Sequence, residues 1–323
     1  MRFVHADPEW AQLLDIVARE VDRDVALVEK DYWVTHTLWA LVQQGFEVWF
    51  KGGTSLSKGF ELIERFSEDI DVRVDAGRSG LAEPPTSWKN TKAGAVRARQ
   101  AWFDAIANHL EVHACEVWRD PAASDAKARG AAFQVRYPAQ HVDKLPPAMR
   151  PFVLLEIGRA RVTPFVQVDL SSWVHDHLER TGEFDAFLDN RPKQLRCIHP
   201  WVTCLEKLDA IAVRFDKGKP AHDFVRHYED AARILAHSTH LPPLPGGLPA
   251  LLDALASEDR KSMPIPAHPS LQPNDSKQWA ELRAAWIAIE PLFWGERVRL
   301  DDACATIRAF LATLSDGHDA EAP

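Results

Sequence analysis

The sequence predicts an α+β fold, with a small mixed sheet carrying helices on its face and a mostly helical C-terminal half. Three observations predict it. Ser67–Val74 alternates polar and apolar residues with the period of two that marks a half-buried strand. Val48–Phe50 and Phe152–Ile157 are short apolar runs, and Val112–Trp118 and Ala132–Tyr137 also read as strands. Further along, the apolar period lengthens to that of a helix, in Leu205, Leu208, Ile211 and Ala212 and again in Trp279, Leu282, Ala285, Trp286 and Ile289. The polar, basic connector Asn190–Leu195 divides a core of residues 1–195 from a helical part of residues 196–323.

Composition narrows the functional classes. A chain of 323 residues with 46% hydrophobic and 26% charged residues can bury a sizeable core. A net charge of −9 argues against indiscriminate coating of nucleic acid, although a local basic groove stays open. Cys115, Cys197, Cys204 and Cys304 lack CxxC spacing and read as reduced thiols of a cytoplasmic protein. Met1–Trp10 contains no apolar signal-peptide region, and no run has the length of a membrane span.

Taken in order, Asp7 and Pro8 read as the N-cap and first position of a helix whose apolar face is Trp10, Leu13, Leu14, Val17 and Val21. A second helix, about Ala26–Gln44, contains Glu29-Lys30-Asp31-Tyr32. Its charges are either a solvated face or, through Lys30 or Asp31, a support for the site described next. Gly52 and Gly53 follow the strand Val48–Phe50 and let the backbone turn sharply and approach a ligand. A helix starting near Thr54 would aim its N–H groups at an anion, and Leu56–Phe66 continues with apolar residues at helical spacing. A P-loop is excluded by spacing, because Gly59 follows Lys58 instead of preceding it.

The strand Ser67–Val74 carries the chemistry. Side chains two apart share a face, so Ser67, Asp69, Asp71 and Arg73 point one way while Ile70, Val72 and Val74 enter the core. Carboxylates about 6.5–7 Å apart on one strand face repel unless a cation lies between them. Oxygen ligands of this kind suit Mg²⁺ held together with substrate phosphates. A phosphate cradle followed by paired carboxylates is the working face of a nucleotidyltransferase. Downstream, Lys89, Lys92, Arg97, Arg99, Arg119, Lys127 and Arg129 either flank an anionic substrate or are ordinary surface charges. Glu156 interrupts an apolar strand, where a charge is costly unless paired or on a metal. It is the candidate third acid, with Asp169 competing and an ion pair to Arg159 or Arg161 as the bland alternative. Lys207 and Asp230 fall on consecutive helices, a placement also common in surface ion pairs. His222 and His227 lack the spacing of a zinc site.

KGGTSLSK…FSEDID closely resembles the AbiEii-type nucleotidyltransferase toxins, the toxin half of type IV-like bacterial toxin–antitoxin and phage-defence systems. LLEIGRA and the RHYxD run at Arg226–Asp230 extend the resemblance, which covers roughly Leu27–Leu235. It implies a polymerase-β-like nucleotidyltransferase sheet and transfer of NMP from an NTP to a hydroxyl, that of a tRNA 3′ end, with pyrophosphate released and translation blocked. It implies that Asp69, Asp71 and Glu156 hold two Mg²⁺ ions, and that Gly52, Gly53, Thr54, Ser55 and Ser67 line the nucleotide. It further implies that Lys207 contacts the triphosphate with Asp230 as its partner, and that a cognate antitoxin exists. The rivals are a metal-dependent phosphohydrolase and a non-catalytic nucleotide-binding interaction protein.

Overall fold

The computed structural model describes residues 1–67, 69–86, 88–145, 149–257 and 263–319. The chain divides into two compact units, one of residues 1–59 and 67–198 and the other of residues 60–66 and 199–323. Both together make an α+β protein with a mixed sheet and a helical C-terminal half.

The first unit contains helices α1 (Trp10–Val21) and α2 (Val25–Gln43), strand β1 (Glu47–Lys51), helix α3 (Gly52–Lys58) and strand β2 (Asp69–Asp75). Helix α4 (Ala93–His109), strands β3 (Glu116–Asp120), β4 (Gly130–Arg136), β5 (Val153–Gly158) and β6 (Phe165–Val168), helix α5 (Trp173–Thr181) and strand β7 (Leu195–Ile198) complete it. The sheet order is β3-β4-β5-β2-β1-β7-β6. Strand β2 is therefore central, parallel to β5 on one side and antiparallel to β1 on the other. Its alternation is as expected: Ile70, Val72 and Val74 are buried while Asp69, Asp71 and Arg73 are half-buried. Glu68 lies outside the described residues.

Several local expectations give way to packing. Helix α1 starts at Trp10, because Asp7 instead accepts a hydrogen bond from the Glu9 amide (2.9 Å) and makes a turn there. Helix α3 starts at Gly52 and ends at Lys58, so Leu56–Phe66 is not one amphipathic helix; Glu61 sits at φ 53°, outside helical backbone. The run Val112–Trp118 is a strand only from Glu116, with Cys115 turning back onto the Val112 carbonyl (2.9 Å). Asp24 caps α2 by accepting from the Ala26 amide (2.8 Å). Beyond that cap, every residue from Val25 to Leu38 is buried, so α2 has no solvated face in its first three turns.

The second unit contains helices α6 (Pro200–Asp216), α7 (Arg226–Ala236), α8 (Gly247–Ala256), α9 (Lys277–Ala288) and α10 (Leu300–Asp319). Proline at the first position of α6 fits there because its missing N–H would lack a partner anyway, and His199 caps the next amide (3.2 Å). Leu205, Leu208, Ile211, Tyr228, Ile234, Trp279 and Leu282 form its core, so the tryptophan stripe is a packing feature. No helix among the described residues is long and apolar enough to cross a membrane.

Candidate active site

The parallel register of β2 and β5 sets Asp71 directly beside Glu156, and Asp69 beside Leu154. Three carboxylates from two neighbouring strands thereby reach one region of the sheet. Glu156 records the crowding. Burial, then the charges of Asp71 and Asp69 and a hydrogen bond with Asp71, push its carboxyl up to about 7, with Arg150 pulling the other way. The competing acid, Asp169, lies just past β6 at the far edge of the sheet. It accepts from the Gln194 amide (2.8 Å) and faces Lys193 (3.7 Å), which ties it to a loop and away from β2. Glu156 is therefore the acid that the sheet brings to the Asp69–Asp71 face.

Glycine at position 52 has a specific reason. Its φ is +77°, and a Cβ there would collide with Oδ2 of Asp71 and come within 2.9 Å of its Cγ. The Asp71 carboxylate lies against bare backbone at the turn from β1 into α3. Gly52→Ala should thus both strain the turn, by about 1–2 kcal/mol, and displace Asp71. The expected result is a lowered melting temperature with transfer activity lost well beyond that loss of stability, measured on the same preparation.

The neighbouring hydroxyls turn inward. Thr54 donates to the carbonyls of Ser67 (3.0 Å) and Asp69 (2.5 Å), and Ser55 donates to the Gly52 carbonyl (3.1 Å). Both residues and Gly53 are buried: the Thr54 side chain fastens α3 to the start of β2 and the Ser55 side chain closes the first turn of α3, and neither presents its hydroxyl to a ligand. Ser67 and Gly52 remain partly exposed. This corrects the expectation of a hydroxyl-lined cradle: what the turn offers an anion is backbone.

The charged segment of α2 is a buried frame for this site. Glu29 accepts from the amides of Gln140 (2.8 Å) and His141 (3.1 Å). Lys30 donates to the Arg150 carbonyl (2.8 Å), and the Arg150 guanidinium faces Asp69 (3.2 Å). Asp31 forms an ion pair with Lys58 at the end of α3 and accepts from the Trp173 amide (3.0 Å). Burial raises the Asp31 carboxyl and Lys58 opposes that rise. Each charge is matched, and none is a solvated surface residue. Arg150 had no signal in the sequence beyond its type. Of the basic residues after β2, Arg99 is fully buried and donates to the carbonyls of Lys127 (2.8 Å), Ala128 (3.1 Å) and Asn90 (2.9 Å), so it is structural. Arg119 pairs with Asp104, and Arg129 with Asp125.

Lys207 and Asp230 belong to the second unit, where they do meet. Lys207 Nζ donates to Asp230 Oδ2 (2.7 Å), and Arg65 reaches the same carboxylate through Nε (2.8 Å) and Nη2 (2.7 Å). Asp230 and Arg65 are almost wholly buried and Lys207 is 7% exposed. Burial works against the Asp230 charge, but Arg65 and Lys207 outweigh it and hold the carboxyl well below the usual range. Burial lowers the Lys207 ammonium, with Asp230 holding it up. Arg65 was missed in the sequence because its partner is 165 positions away.

A family model described as "Nucleotidyl transferase AbiEii toxin, Type IV TA system" matches residues 38–304. Among solved structures the chain is similar to that titled "Crystal structure of JHP933 from Helicobacter pylori". The identity is 12% and the TM-score 0.32, over 91% of this chain and 97% of that one. No curated protein matches by sequence.

Proposed function

The chain belongs to the AbiEii nucleotidyltransferase toxin family, and from that premise we propose that it moves NMP from an NTP to an RNA hydroxyl, the 3′ end of a tRNA, and so blocks translation. The observation that carries the reading is the pairing of Asp71 with Glu156 across parallel strands, with Asp69 on the same face. Membership of a toxin–antitoxin family implies a cognate antitoxin as partner.

The donor set fits Mg²⁺. Carboxylate oxygens are its preferred protein ligands, and a half-buried glutamate pushed up to about 7 by burial and then by two like charges gains most from a cation. Asp69, Asp71 and Glu156 would hold Mg²⁺, which when bound neutralises charge on the α-phosphate and favours the hydroxyl's attack. The chain's own residues prepare for this. Gly52 leaves room for the Asp71 carboxylate, the Thr54 hydroxyl fixes the backbone leading into β2, and Lys30 anchors the Arg150 carbonyl. Arg150, 47% exposed at its side chain, supplies a cation beside Asp69 that can pass to an incoming phosphate. The Gly52–Gly53 backbone and Ser67 line the nucleotide's approach in this reading.

Incubation of the protein with each α-³²P-NTP, Mg²⁺ and total RNA tests it. Label in the tRNA fraction is expected. Release of free phosphate or nucleotide without labelled acceptor would replace the reading with a phosphohydrolase, and no turnover at all with a binding protein.

The role of Lys207 rests on the family resemblance, and Lys207→Met tests it while keeping the side chain's bulk. Asp230 would retain its two bonds to Arg65. If Lys207 neutralises the departing pyrophosphate, single-turnover transfer should fall about 10²–10³-fold, as for loss of one preorganised donor. Acceptor affinity should be unchanged. Unaltered transfer by a folded variant would make Lys207 purely a packing cation.

A further inference from the structure

We propose that His5, His36 and His113 form a site for a Zn²⁺-class divalent transition metal, separate in chemistry from the carboxylate face. One ring nitrogen from each lies within 4.8 Å of the other two. The three come from different segments: His5 from the short turn Val4–Ala6, His36 from α2, and His113 from the loop before β3. Three imidazoles suit Zn²⁺, Cu²⁺, Ni²⁺ or Co²⁺ and not the hard cations that carboxylates take.

His36 supplies the second observation. The residue is fully buried, and its Nε2 makes no hydrogen bond of good geometry among the described residues, although the His113 backbone lies close to the ring. Leaving a buried ring nitrogen unsatisfied is costly, and native proteins rarely do so without a reason. Its Nδ1 is taken by the Asn190 amide (2.9 Å), so Nε2 is the nitrogen left for the cluster.

The surrounding bonds set the ring tautomers that a metal needs. Asn190 contacts His36 Nδ1 (2.9 Å), the Tyr32 hydroxyl (3.0 Å) and His175 Nε2 (2.8 Å), and all four residues are buried. The oxygen and nitrogen of an asparagine amide exchange places without changing its shape. With Oδ1 towards His36 and Tyr32, His36 Nδ1–H and the Tyr32 hydroxyl both donate to it, and Nδ2 donates to His175. His175 Nδ1–H then donates to Ser172 (2.7 Å), and His5 Nδ1–H donates to the Tyr32 oxygen (2.6 Å). This orientation leaves the second Nδ2 hydrogen of Asn190 without a partner, and it turns the Nε2 lone pairs of His5 and His36 towards the cluster. That is the outer-shell arrangement which orients metal-binding imidazoles.

His113 completes the set. Its Nδ1 lies 2.8 Å from His5 Nε2, so one proton is shared between them. On metal binding that proton moves to His113 Nε2, on an exposed residue, and both nitrogens become ligands. Phe3 stacks on His5 (5.1 Å) and lies 4.6 Å from His113, and Trp39 stacks on His36 (5.4 Å). The metal would pin the N-terminal arm and the loop before β3 to α2, with water in the fourth position.

The test uses the full chain, stripped with a chelator, in an Asp71→Asn background that disables the carboxylate face. One equivalent of Co²⁺ should give the visible absorption of a tetrahedral nitrogen site, Zn²⁺ should displace it, and Zn²⁺ should raise the melting temperature by several degrees. Outer-shell changes cost 10–100-fold in metal affinity, so losing a ligand in His113→Ala or His5→Gln should cost at least about 100-fold. His113 is exposed, and His113→Ala should leave the metal-free melting temperature unchanged. No uptake of Co²⁺ or Zn²⁺, or unchanged affinity and spectrum in a folded His113→Ala protein, would overturn the assignment.

Discussion

Asp71→Asn should abolish nucleotidyl transfer in a protein that folds as well as the wild type. The amide keeps the side chain's shape above Gly52, so the turn from β1 into α3 is not disturbed. What changes is charge: one of the two acids facing Glu156 no longer holds a cation or repels its neighbour. The loss of a metal ligand should reduce single-turnover transfer by at least about 10³-fold, roughly 4 kcal/mol of barrier. Stability should stay level or rise, because the repulsion that pushes the Glu156 carboxyl up is relieved. Melting curves in chelator and transfer at saturating NTP, measured side by side, check both halves. A folded Asp71→Asn protein that transfers normally would remove the carboxylate face from the mechanism.

The largest loss of stability is expected from Asp230→Ala. The carboxylate is fully buried and accepts three bonds from two cations, so its removal leaves Arg65 and Lys207 in the interior without their counter-charge. Breaking a buried pair in this way costs about 3–5 kcal/mol, a large share of the 5–15 kcal/mol that holds a typical protein together. Because the Asp230 carboxyl is held below its ordinary pKa of 3.8, its contribution is complete above that pH and declines only below it. Denaturant titration of Asp230→Ala should show the loss. The charge-free combination Arg65→Met, Lys207→Met, Asp230→Leu should recover most of it, since apolar packing can replace a buried ion cluster. Equal instability of the two proteins would mean that the site depends on shape more than on charge.

The parts legible in the sequence were those whose signal is local. Alternation in β2 identified both the buried residues and the carboxylate face, because strand geometry fixes that relation residue by residue. Glu156 was legible as a charge in an apolar run, although only the register with β2 explains it. What escaped was set by distant partners. Lys30 meets Arg150 across 120 positions and Glu29 meets Gln140 across 111, so nothing near α2 distinguishes its buried charges from a wet face. The inward turn of Thr54 follows from its contact with the residues leading into β2, that of Ser55 from its bond to the Gly52 carbonyl, and a glycine pair before Thr-Ser reads equally well as a ligand loop. The histidines of the proposed metal site carry no spacing at all; they meet only because the fold collects them.

The segment 60–66 belongs to the second unit although it lies between two pieces of the first. This makes the order of synthesis consequential. Arg65 leaves the ribosome 165 residues ahead of the carboxylate that receives it. At bacterial and eukaryotic elongation rates that is a wait of about 8–33 s. Throughout it, the peptide joining the glycine turn to the carboxylate strand has no permanent anchor at Arg65. A nascent chain therefore cannot close this ion pair until α6 and the start of α7 have been made.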